Sequence, residues 1–203
     1  MNDILSFFNL KKKKEIKGLI LGLDNAGKTT ILKSFKGETA LNLPPTKGFN
    51  FQKFDYNNTT FILWDLGGQK SIRKFWENYY EKENDCIIYV IDSSDSERLE
   101  ETGNELYNIL QQPELSGMPL VIYANKQDLN MALSVDEILE QLGLDDITDR
   151  KWTIIASSAC KTSIGAKFAS SNKNAVFDVV NACKRGPFIY LIPDRKSTRL
   201  NSS

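Results

Sequence analysis

The residues Gly22-Leu23-Asp24-Asn25-Ala26-Gly27-Lys28-Thr29 fit the pattern G-x-x-x-x-G-K-[ST]. Chemistry on phosphate needs this composition. Glycines let backbone N–H groups curl around phosphate oxygens, and the N-terminus of the following helix adds partial positive charge. A lysine at the position of Lys28 reaches β- and γ-phosphates, and a hydroxyl at the position of Thr29 suits Mg²⁺. By average residue usage, on the order of one chain in a hundred of this length would carry the pattern by accident. The context argues against accident, because the motif lies between an apolar strand candidate and a helical pattern.

Two later segments supply what a phosphate loop lacks. Trp64-Asp65-Leu66-Gly67-Gly68-Gln69 puts an acid at the end of a strand, where it holds Mg²⁺ through water. With no side chain, Gly68 lets its backbone N–H approach a γ-phosphate, and Gln69 is placed to orient an attacking water. Standing alone, this segment would be a strand ending in a Gly-rich turn. Asn125-Lys126-Gln127-Asp128 closes an apolar run. The Asp128 carboxylate can accept from N1–H and the exocyclic amine of guanine, a pair adenine does not present. The Lys126 stem can lie along the base, and Asn125 can tie loops together. Ser158-Ala159-Cys160 can offer backbone N–H groups to the guanine O6, a weak signal by itself.

These residues need elements to hold them. Apolar runs at 18–21, 49–56, 59–64, 86–91, 120–123 and 152–156 read as six strands. The second and third are joined at Asn57-Asn58, a two-residue hairpin turn. Helical patterns fall at 28–35, 98–110 and 135–142, the last with Ser134 and Glu137 in capping-box positions. Alternation of this kind predicts an α/β fold: a doubly wound, mostly parallel sheet with helices on both faces. In such sheets ligands bind outside the carboxyl ends of the strands.

Composition removes several classes. The chain has 203 residues, is 41% hydrophobic, and carries 26 basic and 26 acidic side chains. Zero net charge gives no whole-chain case for nucleic acid. With no histidine, histidine acid–base chemistry and histidine metal sites are excluded. Cys86, Cys160 and Cys183 have neither zinc spacing nor a paired framework, which fits a reducing, cytoplasmic location. No stretch approaches the roughly 18–20 apolar residues of a membrane span, and no secretory signal is visible. Asn2 at the second position excludes N-myristoylation. Residues 1–10 read as a short amphipathic helix with Ile4, Leu5 and Phe8 on one face, followed by the basic run Lys11–Lys14. Two readings stand: a solvated linker, or a switchable arm that docks its apolar face and makes weak or indirect contact with an anionic membrane.

The combination of the phosphate loop, Pro44-Pro45-Thr46-Lys47-Gly48-Phe49-Asn50, the Asp65–Gln69 segment and Asn125–Asp128 resembles the ADP-ribosylation-factor branch of the Ras-like P-loop GTPases. Phe75-Trp76, Tyr79-Tyr80, Tyr89–Ser93 and Asp149–Trp152 strengthen the likeness. With Glu100–Gly103 the chain is most similar to the type-three, ciliary Arf-like members. The resemblance implies GTP/GDP and Mg²⁺ as ligands. The implied nucleotide contacts are Gly22, Leu23, Asp24, Asn25, Ala26, Gly27, Lys28, Thr29, Thr30, Thr46, Asp65, Gly68, Asn125, Lys126, Asp128, Ser158, Ala159 and Cys160. Thr29 and Thr46 are the metal ligands, Thr46 only with GTP, and Lys28, Gly68 and Gln69 act on the γ-phosphate. It further implies that residues 66 to about 80 form a switch, and that the hairpin from Phe49 to Trp64 shifts register with GTP and displaces the N-terminal helix. Implied partners are an exchange factor, an activating protein and GTP-dependent effectors, including carriers of prenylated or myristoylated cargo. Implied locations are cilium, Golgi membrane and microtubules.

Three units are expected: an arm and linker over 1–14, a GTPase domain over 15–161, and an aberrant extension over 162–203. The extension stands where a Gly-x-Gly turn and a closing amphipathic helix belong. Arg195–Ser203 resembles translated adapter or vector sequence. No arginine lies in the phosphate loop or beside Thr46, which predicts slow intrinsic hydrolysis and an activating partner that supplies one. Two competing readings remain at this stage. One is a non-catalytic interaction module with a defective C-terminus, separable by its nucleotide content. The other is an ATP-dependent P-loop enzyme, disfavoured by Asn125, Lys126 and Asp128.

Overall fold

The computed structural model describes residues 14–36, 38, 43–56 and 59–159. The expectations for the N-terminal helix and linker, the Asn57-Asn58 turn, Cys160 and the 162–203 extension lie outside them. The six expected strands are present: β1 (Lys14–Leu21), β2 (Phe49–Tyr56), β3 (Thr59–Leu66), β4 (Cys86–Asp92), β5 (Leu120–Asn125) and β6 (Trp152–Ala156). They form one sheet in the order β2-β3-β1-β4-β5-β6. β2 pairs antiparallel with β3, and every other pairing is parallel.

Each residue of β4 and β5 is buried. That follows from their unbroken apolar runs, since a central parallel strand has no face toward water. The helices are α1 (Lys28–Phe35), the single turn α2 (Lys70–Arg73), α3 (Leu99–Leu110) and α4 (Val135–Leu142). Two cores result. One lies between the sheet and α3 and α4, around Leu19, Tyr89, Leu106, Ile122 and Ile138. The other lies on the opposite face beneath α1, around Ile20, Ile31, Leu32, Val90 and Tyr123. α4 carries both halves of the expected capping box: Ser134 Oγ accepts from the Glu137 N–H, and the Glu137 carboxylate accepts from the Ser134 N–H.

Some boundaries differ from the sequence reading. β1 begins four residues before the apolar run, because Lys14 to Lys17 pair with Thr59 to Ile62 of β3. β3, β4 and β5 each run one or two residues further toward the ligand end, carrying Asp65, Asp92 and Asn125 with them. α3 begins at Leu99, since Ser96–Arg98 form a 3₁₀ turn. Among the described residues no helix is long and apolar enough to cross a membrane.

Candidate functional site

The phosphate loop joins the end of β1 to α1. Gly27 caps α1 with φ of 92°, and a Cβ there would stand 2.4 Å from Asn125 Nδ2. Conformation and space both require glycine. Asn125 Nδ2 donates to the Ala26 carbonyl at 2.8 Å, while its Oδ1 accepts from Ser157 Oγ and the Ala159 N–H, each at 3.2 Å. One buried side chain thus fastens the loops after β1, β5 and β6 together, the tying role expected of it.

Lys28 Nζ donates to the carbonyls of Gly22 (2.9 Å) and Leu23 (2.7 Å), which leaves its third donor for a ligand. Burial drives its pKa down to about 8, against the pull of Asp65 and Asp24. Asp65 is buried as well, and burial raises its pKa despite a hydrogen bond from Thr29 and the nearby Lys28. Thr29 Oγ1 donates to Asp65 Oδ2 at 2.6 Å and lies 2.9 Å from Thr46 Oγ1. Asp65 Oδ1 is buried with no hydrogen-bond partner. Two hydroxyls converging beside a buried carboxylate with an orphaned oxygen form the oxygen-only donor set that suits a small hard cation. The residues therefore fit Mg²⁺.

Gly68 lies against the phosphate loop: a Cβ on it would fall 2.3–2.5 Å from the backbone of Gly22, Leu23 and Asp24. Gln69 follows as the exposed N-cap of α2, and its carbonyl accepts from the N–H groups of Ile72 and Arg73. The Trp76 indole N–H donates to the Gly67 carbonyl at 2.9 Å. Gly67 N–H in turn donates to the Gly48 carbonyl at 2.7 Å, linking this segment to the one bearing Thr46.

At the other end, Lys126 Nζ pairs with Asp92 at 2.6 Å, and Ser158 Oγ donates to Asp128 Oδ1 at 2.7 Å. A cavity of about 310 Å³ runs between the two ends. Of the residues singled out in sequence, Asp24, Asn25, Gly27, Lys28, Thr29, Thr30, Thr46, Gly68, Gln69, Asn125, Lys126, Asp128 and Ala159 line it. Gly22 and Leu23 stand behind, holding the Lys28 ammonium, while Ala26, Asp65 and Ser158 are bound to lining residues. The structure also brings in Leu43, Pro44 and Pro45.

Three features escaped the sequence reading. Arg98 donates to Asp24 Oδ1 at 3.0 Å and also pairs with Asp95, so an arginine does reach the phosphate loop, though its guanidinium is engaged by carboxylates. Arg73 is buried between Glu101 and Glu105. Phe49, Phe51, Trp64 and Tyr79 form a ring cluster with centroids 4.9–5.6 Å apart, with Phe49 53% and Phe51 45% exposed. The last had a signal, because Phe49 and Phe51 alternate along β2 and Phe51 pairs with Trp64. The two arginines had none.

The family model of the ADP-ribosylation factors matches residues 1–169. ADP-ribosylation factor-like protein 3 of Chlamydomonas reinhardtii is 50% identical over 157 residues, covering 77% of this chain and 88% of that protein. ADP-ribosylation factor-like protein 2 of Drosophila melanogaster is 46% identical over 169 residues, covering 83% and 90%. Among solved structures, the Arl6 small GTPase of Trypanosoma brucei with a bound GppNp analogue superposes with a TM-score of 0.67 at 31% identity, covering 80% of this chain and 99% of that one. The chain belongs to the ADP-ribosylation factor family as an Arf-like small GTPase, a GTP-binding switch that hydrolyses GTP and, as its family does in general, works with exchange factors, activating proteins and effectors.

Proposed function

We propose that this chain is a GTP-gated trafficking switch that releases prenylated or myristoylated cargo from carrier proteins in the cytoplasm and cilium, with Golgi membrane and microtubules as further sites of action. The observation that carries the reading is the exposed aromatic cluster of Phe49, Phe51, Trp64 and Tyr79. An exposed apolar patch of this kind marks a protein-binding surface. It spans the β2–β3 hairpin and the segment after Gln69, so a partner seated there touches both parts that respond to the γ-phosphate. The similarity to Arf-like proteins 2 and 3 supports the same assignment.

In this reading Lys28 and the phosphate-loop amides offset charge on the β- and γ-phosphates. Thr29 and Thr46 would hold Mg²⁺, with Asp65 behind them through water. When bound, the ion neutralises charge between the β- and γ-phosphates. The Gly68 amide meets the γ-phosphate and Gln69 orients the attacking water. Asp128 reads N1–H and the exocyclic amine of guanine, with Lys126 along the base and Ala159, Ser158 and Cys160 toward O6. No arginine among the described residues lines the cavity, since Arg73 and Arg98 are both held by carboxylates. Intrinsic turnover is therefore slow, and an activating protein supplies the missing cation. In this reading residues 1–14 are the ejectable arm, the GTPase unit runs over 15–161, and 162–203 is an aberrant extension in place of the family's last helix.

The test loads the chain with GDP or a non-hydrolysable GTP analogue and adds it to a carrier holding a fluorescent prenylated peptide. Release is expected with the analogue alone. Equal release in both states sinks the proposal. Protease cleavage within residues 1–14 should rise with the analogue, and equal cleavage would leave them a plain linker.

A further inference from the structure

Arg73 is a charged side chain placed where it should be costly. It ends the single turn α2, two residues after the exposed run Gln69, Lys70 and Ser71, yet its own side chain is only 7% exposed. Its Nη1 meets Glu105 at 2.6 Å and its Nη2 meets Glu101 at 2.5 Å. The two acids sit four residues apart on one face of α3, so a planar guanidinium can span both at once. Its Nε is buried with no partner, so the two carboxylates carry the whole compensation for the charge. On the backbone side, the Arg73 N–H donates to the Gln69 carbonyl at 3.0 Å, as does that of Ile72 at 2.8 Å. The chain Glu101/Glu105–Arg73–Gln69 thus runs from a long packed helix to the one glutamine beside the γ-phosphate site. Arg73 is also close enough to Lys28 to help lower its pKa.

We infer that Arg73, clamped by Glu101 and Glu105 of α3, is a positioning residue that fixes the Gln69 turn for hydrolysis. This rests on Gln69 orienting the water, as proposed above. α2 is four residues long, far too short to hold its shape without tertiary support. Its N-terminal side is held where Gly68 lies against the phosphate loop and the Trp76 indole fixes Gly67. The clamp supplies the second point of attachment. Because it touches neither phosphate nor base, its loss acts on the chemical step and spares nucleotide retention.

The measurement is single-turnover hydrolysis of preloaded GTP in the full chain, with GDP release and thermal unfolding followed on the same samples. Glu101→Gln/Glu105→Gln keeps the shape of the clamp and removes its charge. It is expected to slow hydrolysis on the order of tenfold or more, the scale of a small misplacement of a catalytic group, while GDP release stays within about twofold. Arg73→Lys keeps the charge without the fork and should give an intermediate rate. Arg73→Met should match the double Glu variant; if it fails to fold, the Glu variants decide. Added to Gln69→Leu, the Glu substitutions should slow hydrolysis no further, because both act through one side chain. Hydrolysis within about twofold of the parent, slowing matched by equally faster GDP release, or full additivity with Gln69→Leu would each overturn the inference. Unchanged hydrolysis in Gln69→Leu alone would overturn the reading beneath it as well, and is scored separately from the Glu variants.

Discussion

Replacing Gly68 by Ala adds one methyl group where the structure has no room. The new carbon would stand 2.3 Å from the Leu23 carbonyl carbon, 2.4 Å from the Asp24 nitrogen and 2.5 Å from the Gly22 oxygen. Comfortable carbon contacts begin near 3.5 Å, so the two segments must part by roughly 1 Å. The phosphate loop cannot give way. Its carbonyls hold the Lys28 ammonium, and Asn125 pins Ala26. The segment bearing Gly68 and Gln69 therefore retreats. A displacement of that size costs on the order of a hundredfold in a positioned reaction. GDP has no γ-phosphate for the Gly68 amide to meet, so its affinity should hold. Single-turnover hydrolysis should fall on the order of a hundredfold, and the ratio of GTP-analogue to GDP affinity, read with fluorescent nucleotides, should drop. Hydrolysis within about threefold of the parent, with that ratio unchanged, would show that Gly68 does not seat against the loop during the reaction.

Thr29→Asn places an amide where a hydroxyl meets both Asp65 and Thr46. Mg²⁺ demands near-ideal octahedral geometry, so Mg²⁺-dependent GTP binding should weaken more than GDP binding, and equal loss for both nucleotides would contradict the assignment. Asp128→Asn keeps an oxygen for Ser158 but exchanges one acceptor for a donor. Preference should move from guanine toward xanthine in competition binding, and unchanged guanine selectivity would remove Asp128 as the base reader. Lys28 in the nucleotide-free fold titrates near 8 because burial disfavours its charge, while its ordinary value is 10.5. The penalty on the fold is present in full below about pH 8 and fades as pH rises toward 10.5, so the unfolding free energy of the nucleotide-free chain, read from urea titrations, should climb over that window by up to about 3 kcal/mol. Bound phosphates keep Lys28 charged, so nucleotide binding near pH 8.5–9 should take up a proton, seen as buffer-dependent calorimetric heat. A buffer-independent heat would refute it.

What the sequence disclosed and what it withheld divide along a physical line. The phosphate loop, the six strands and the capping box of α4 were legible because each depends on residues close together in the chain. β4 and β5 announced themselves as unbroken apolar runs, and Ser134 with Glu137 as a three-residue spacing. The start of β1 was not legible, because Lys14 to Lys17 are in the sheet only through their partners on β3. Arg73 and Arg98 were invisible for the same reason. The acids of Arg73 lie 28 and 32 residues away; Arg98 has Asp95 three residues before it, but Asp24, its link to the phosphate loop, lies 74 residues away, and nothing local marks these distant contacts. The aromatic cluster lies between these cases. Phe49 and Phe51 share a strand face, while Tyr79 joins them only in three dimensions.

Two separate responses to the γ-phosphate are proposed, Thr46 through Mg²⁺ and the Gly68 amide directly, and the structure links the segments that carry them. A hydrogen bond to a charged group contributes about 1.5–3 kcal/mol. Carrying a two-state equilibrium from one extreme to the other takes about 5.5 kcal/mol. One amide is therefore too little, and the contacts must act together. Gly67 supplies the connection. Its N–H is bonded to the Gly48 carbonyl, two residues from Thr46, and its carbonyl is bonded to the Trp76 indole. Gly68 is the next residue along. A phosphate that seats Gly68 thus seats Gly48, and with it Phe49 and Phe51 at the start of β2, whose rings pack at a tilt against Trp64 and, through Phe49, against Tyr79. The exposed aromatic face is assembled from the same two segments that meet at Gly67. Its shape therefore depends on whether they are joined, which is the property a partner needs in order to tell one nucleotide state from the other.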